Sequence, residues 1–159
     1  MTTETARQTV PAEDNGTIVR ATEDDYPALA ALWEASVRAT HAFLAEDDLL
    51  RIRAALATEY LPAVACYIRR AAGCPVAFAG IADGKLEMLF VHPDWFGNGF
   101  GSELLDFAVR EKGVTQVDVN EENVRAERFY RTHGFRTVSR DETDSEGLPY
   151  PILHMTLRQ

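Results

Sequence analysis

Three glycines at alternate positions, Gly97, Gly99 and Gly101, separate an apolar run, Met88–Val91, from a segment in which Ser102 and Glu103 lead into Leu104 and Leu105. A strand that passes through glycines into a helix start is suited to holding a phosphate. The first N–H groups of a helix have no partner within it, and that end carries roughly half a positive charge, so an anion needs no basic side chain there. Glycine lets the main chain approach the anion closely and permits the positive φ angles of an amide-lined nest. The expected ligand carries a phosphate or diphosphate.

Spacing narrows the choice. A Walker loop ends in Gly-Lys-Ser/Thr, and this segment has no lysine. A dinucleotide loop needs G-x-G-x-x-G, but its last place falls on Ser102 or Leu104, depending on the starting glycine. A second segment, Val119–Phe135, carries its own signals. Asn123 can cap a helix, Ala126, Phe129, Tyr130 and His133 share one face, and Gly134 stands where a left-handed terminating residue belongs.

In this order and about 20 residues apart, the two segments resemble the GNAT superfamily of N-acetyltransferases. The superfamily's acetyl-coenzyme A loop, Gln/Arg-x-x-Gly-x-Gly/Ala, reads here Phe96-Gly97-Asn98-Gly99-Phe100-Gly101. Phe96 departs from it. Loss of the Arg or Gln removes one side-chain contact and leaves the amide cradle, so weaker coenzyme affinity is expected. His41–Leu44 (H-x-F-L) and Gly147–Pro151 are similar to segments of small bacterial members.

The resemblance implies transfer of an acetyl group from acetyl-coenzyme A to a primary amine, by direct attack in a ternary complex. Leu89, Phe90 and Val91 would then contact pantetheine, an amide near Leu89 or Phe90 would face the thioester oxygen, and Gly97, Asn98, Gly99, Phe100, Gly101, Ser102 and Asn123 would complete the coenzyme site. Tyr130, seven residues after Asn123, takes the place of the family's proton donor to the leaving thiolate. A phenol is competent for that role within hydrogen-bond reach; on periodicity alone it reads as a core tyrosine. Glu87 and Asp118, on the strands expected to flank the thioester, are near-equal candidates for the base that frees the amine's lone pair, directly or through water. Trp33, His41, Phe43 and Tyr150 are candidates for the acceptor pocket, and each has a plainer reading as a packing residue.

Two further functional readings stand beside transfer. One is a non-catalytic module of the same fold that binds or senses acyl-coenzyme A, favoured by Phe96 and opposed by Tyr130. The other is a nucleotide-phosphate enzyme, opposed by the missing loop lysine. His92, His133 and His154 show no metal-site spacing, so no metal is expected. Cys66 and Cys74 have no base nearby in sequence, which disfavours an acyl-enzyme.

The elements that must position these residues follow from periodicity. Met1–Gly16 has no periodic apolar pattern and reads as a mobile tail, leaving 17–159 as one acetyltransferase domain. A strand at 17–20 precedes a helix capped by Thr22, with Tyr26, Leu29, Trp33 and Val37 on one face, and a second helix carries Leu49, Ile52, Leu56 and Tyr60. Turn signals at 71–73 and at Asp83-Gly84 divide 64–91 into three antiparallel strands. A helix from Ser102, a strand at 115–119, a helix from Asn123 and two closing strands complete the chain. The fold class is α/β of the α+β type, a mixed sheet of about seven strands in the order β-α-α-β-β-β-α-β-α-β-β, which is also the order of the GNAT fold.

Composition sets outer limits. The 159 residues are 46% hydrophobic, enough for one core, and 25 acidic against 16 basic residues give a net charge of −9. Such a surface disfavours nucleic acid and anionic membranes and suits a cationic acceptor, whether a small molecule or a protein amine. A cytoplasmic location is expected. With a hairpin turn at Ala72-Gly73, Cys66 would face a residue near Phe78, leaving the two cysteines as unpaired, small buried hydrophobes. A homodimer through the terminal strands suits this fold.

Overall fold

The computed structural model describes residues 17–158; the expected N-terminal tail lies outside the described residues. Seven strands and four helices follow one another as β1 (Ile18–Arg20), α1 (Tyr26–Thr40), α2 (Glu46–Ala55), β2 (Ala65–Ala71), β3 (Cys74–Ala82), β4 (Lys85–Val91), α3 (Phe100–Lys112), β5 (Gln116–Asn120), α4 (Val124–Thr132), β6 (Phe135–Asp141) and β7 (Ile152–Leu157). The strands form one sheet in the order β1-β2-β3-β4-β5-β7-β6, antiparallel throughout except for the parallel β4–β5 pair.

Local chemistry explains the element ends. The Thr22 N–H donates to the Asp25 carboxylate at 2.9 Å and the Thr22 carbonyl accepts from the Asp25 N–H, which starts a 3₁₀ turn running into α1. The last five residues before Leu61 wind as a π-helix continuing α2. Gly113 ends α3 in the left-handed conformation. Helix α3 starts at Phe100, two residues before its expected start, so Gly101 is helical and only Gly97 and Gly99 in this loop have positive φ, at 82° and 80°.

Two apolar clusters cover the sheet unequally. Leu104, Leu105 and Ala108 of α3 and Tyr130 of α4 pack on one face with Val76, Leu86, Val117, Val119, Phe135 and Met155, spanning both halves of the sheet. On the other face, Leu29, Trp33 and Val37 of α1 and Leu49 of α2 pack on Cys66, Ile68 and Phe78, which belong to β2 and β3. That second cluster includes no residue of β5, β6 or β7. Asp118, alternating with inward Val117 and Val119, and its β7 neighbour His154 therefore remain partly solvated.

Three irregularities shift the register. An extra residue in β3, Val76, shifts the register so that Cys66 lies opposite Gly80, two positions beyond Phe78. Cys66 is buried as anticipated, whereas Cys74, at the exposed end of the hairpin, is not. Val138 is the extra residue of β6 and is 56% exposed. Glu87 is the extra residue of β4, since Gly80 faces Met88 while Ile81 faces Leu86. This last bulge positions the site.

Candidate active site

Strands β4 and β5 pair only at Lys85–Gln116 and Leu86–Val117. The next β4 residue is the bulged Glu87, and beyond it the strands diverge. A bulge bends its strand and increases the twist, which accounts for the separation. Among the described residues the β4 edge facing β5 has no strand partner from Glu87 to Val91, and these residues line a cavity of about 330 Å³. Val117 to Asn120 form the opposite wall.

At one end of this cleft lies the glycine loop. Gly97, Gly99, Phe100, Gly101 and Ser102 line it. Gly99 occupies the N-cap of α3 without a side-chain cap, which leaves the first-turn N–H groups available to a ligand. These features fit a coenzyme diphosphate on the amides and a pantetheine arm between the separated strands. Trp95 and Phe100 pack at 5.9 Å, and buried Arg69 lies 4.7 Å over the Phe100 ring while its Nε donates to Glu103 at 2.9 Å. The helix entrance is thereby anchored from behind.

Helix α4 faces the same space. Asn123 accepts from the Ala126 N–H at 3.1 Å, as a cap should, and its Nδ2 lies 3.4 Å from His41 Nε2. The rest of that chain of contacts is determined by donor counting. Thr40 Oγ1 donates to the Ser36 carbonyl at 2.8 Å, so it accepts from His41 Nδ1 at 2.7 Å, leaving Nε2 free to accept from Asn123. His41 is a neutral imidazole, and burial pushes its pKa down to about 4. This chain ties the end of α1 to the start of α4.

Tyr130 lines the cavity, 7% exposed, with its ring against Phe129 and Phe135. Among the described residues its hydroxyl has no hydrogen-bond partner, and burial raises its pKa well above that of a free phenol. Glu87 and Asp118 both line the space. Asp118 is engaged on both oxygens, by Lys85 and by His154 Nδ1 at 2.6 Å, whereas among the described residues Glu87 has only Lys85, at 4.0 Å. His154 Nε2 reaches Asp141 at 2.7 Å, and Asp141 and Asp118 together raise the imidazole pKa.

Of the residues expected at the site, Leu89, Phe90, Val91, Asn123, Tyr130, Glu87, Asp118, His41 and the loop residues apart from Asn98 line the cavity. Asn98 turns its amide back to the Trp95 carbonyl at 3.0 Å. Three of the four pocket aromatics lie elsewhere. Trp33 is a core residue, edge-on to Phe90, and the Phe43 ring packs tilted against that of His41. Tyr150 donates to Asp48 at 2.5 Å and accepts from the Ala45 N–H, which pins the α1–α2 loop without reaching the cavity. Sequence reasoning missed Ser36, Thr40 and Arg125 on the lining. Arg125 had a legible signal, a cation in the first turn of a helix.

The cleft, the amide cradle and the buried phenol together define a class. The family of acetyltransferase (GNAT) domains matches residues 38–137, and the chain belongs to it. It is by class an acetyl-coenzyme A-dependent N-acetyltransferase. Within that family it is similar to the peptidyl-lysine N-acetyltransferase YjaB of Salmonella typhimurium, 32% identical over 139 residues that cover 87% of this chain and 95% of the relative. The solution structure of apo YjaB from Escherichia coli superposes with a TM-score of 0.81 at 30% identity, covering 88% of this chain and 95% of that one. A GCN5-related N-acetyltransferase from Rhodopseudomonas palustris shares the fold, with a TM-score of 0.74 at 22% identity over 95% and 98% of the two chains.

Proposed function

We propose that the acceptor is the side-chain amine of a lysine in a protein or peptide, acetylated by direct attack while both substrates are bound. The relatives named for peptidyl-lysine support the acceptor class. The acidic groups Glu87 and Asp118 at the cleft, in a chain of net charge −9, suit a cationic side chain on approach. Bound acetyl-coenzyme A supplies the thioester. The chain's own residues hold it: amides of the glycine loop take the diphosphate, and the unpaired β4 edge aligns the arm and offers an N–H to the carbonyl oxygen.

Tyr130 is the proton donor in this reading. Its raised pKa keeps the hydroxyl protonated through the physiological range, and its hydroxyl is free to donate to a departing thiolate. Glu87 takes the amine's proton, because it is less engaged than Asp118. Asp118 then orders the acceptor side through Lys85 and His154. The single observation that carries the proposal is the Tyr130 phenol, with no hydrogen-bond partner among the described residues, on the wall of a cleft opened by the Glu87 bulge.

The test is acetylation of a lysine peptide by the purified chain, followed by mass. Tyr130→Phe should lower turnover by roughly 10- to 1,000-fold with little change in coenzyme affinity. Glu87→Gln should remove the acidic limb of the pH–rate profile, and Asp118→Asn should leave it. Undiminished turnover by Tyr130→Phe would exclude the phenol as acid. A cytoplasmic location and a homodimer pairing through β6, an edge of the sheet, belong to the same reading; light scattering in solution tests the dimer.

A further inference from the structure

Phe96 stands where a loop of this kind carries an Arg or Gln, yet the cation is not missing from the site. The Arg125 guanidinium lies over the Phe96 ring, 5.0 Å from its centroid, and Arg125 lines the cleft beside Gly97 and Gly99. It comes from α4, 29 positions away along the chain by residue number. Among the described residues it is the one Lys or Arg on the cavity wall.

Its placement is unfavourable for the fold taken alone. Arg125 is in the first turn of α4, where the helix dipole disfavours a cation by a few tenths to about 1 kcal/mol. No carboxylate compensates for it among the described residues: nearby Glu127 is paired with Arg131 at 3.3 Å. The start of α3 directs its own positive end to the same cavity. Two helix entrances and an unpaired guanidinium thus converge on one space in a chain of net charge −9. Arg125 is solvent-exposed, so its guanidinium is open to an anion brought by the ligand.

We propose that Arg125 holds the coenzyme diphosphate, with Phe96 as the platform that orients the guanidinium; this rests on the coenzyme assignment. Phe96 precedes the first glycine, so a guanidinium on its face lies at the loop that cradles the diphosphate and not at a distal phosphate. A planar guanidinium stacks on an aromatic face while its N–H groups remain free for phosphate oxygens. A lysine would lose the stacking and the fork. The weaker coenzyme affinity expected from Phe96 alone is therefore offset from a different helix.

Calorimetric titration of the purified chain with coenzyme A and with 3′-dephospho-coenzyme A tests this without reference to turnover. Arg125→Ala and Arg125→Gln should each raise Kd about tenfold for both ligands, as expected for loss of a charge-assisted hydrogen bond. Arg125→Lys should fall between. Phe96→Arg placed in the Arg125→Ala chain should recover most of the affinity, and thermal midpoints of all variants should stay at or above that of the unaltered chain. Binding by Arg125→Ala within twofold of the original would overturn the proposal, as would a loss seen with coenzyme A and absent with the 3′-dephospho form. No saturable uptake of coenzyme A by the unaltered chain would overturn the coenzyme assignment itself, and this inference with it.

Discussion

At the scale of single residues, the two histidines with shifted pKa values act in opposite directions. His41 is neutral because burial disfavours its charged form. An unfolded chain binds a proton there below about pH 6.5, and the folded one only near pH 4, so stability rises with pH across that interval. The contribution, at most about 3 kcal/mol, is complete above pH 6.5 and lost as pH falls toward 4. Chemical denaturation at several pH values should show this slope in the original chain and a flatter one in His41→Asn. His154 behaves inversely. Its pKa is raised by Asp141 and Asp118, so its stabilising effect is present below the unfolded pKa and disappears as pH rises through the folded one. Asp141→Asn should therefore destabilise the chain at pH 6 and be nearly silent at pH 9.

Glycines of the loop separate folding from binding at the scale of elements. Gly99 has a φ of 80°, which an L side chain rarely adopts, so Gly99→Ala should cost about 1 kcal/mol although nothing lies within 4 Å of the added carbon. Gly101 is different. It is helical, and a Cβ there would make ordinary contacts of 3.7 Å with Phe129 and Val91, both on the cavity wall. Gly101→Ala should thus keep or slightly raise stability while weakening coenzyme binding. Thermal melts and titrations on both variants should show the opposite pattern for each. Equal destabilisation by the two would mean that the loop's glycines serve folding alone.

Across the whole molecule, the two parts of the sheet, β1–β4 and β5–β7, are joined to each other through just two β4–β5 residue pairs. The α3–α4 core holds the halves together on one face. A ligand lying between the strands would supply the missing contacts, so coenzyme A should raise the melting temperature. Amide exchange should slow at Glu87–Val91 and Asp118–Asn120 and change little in β1 and β6, as mass spectrometry can follow. Uniform protection throughout the sheet would argue against a ligand seated in the cleft.

Much was legible in the sequence because it is local. Alternation in β5, the 3.6-residue spacing of Leu104, Leu105 and Ala108, the Asn123 cap and the turn glycines each express chemistry between residues a few positions apart. That sufficed for the element order and the family. The Glu87 bulge, the engagement of Asp118 by Lys85 and His154, the withdrawal of Trp33, Phe43 and Tyr150 from the cavity, and Arg125 over Phe96 were decided only in the folded chain. Each depends on register or on the meeting of distant segments, such as His41 with Asn123 across 82 positions. Which side of a strand a residue takes, and which partner satisfies a charge, is set by packing that no short window of sequence contains.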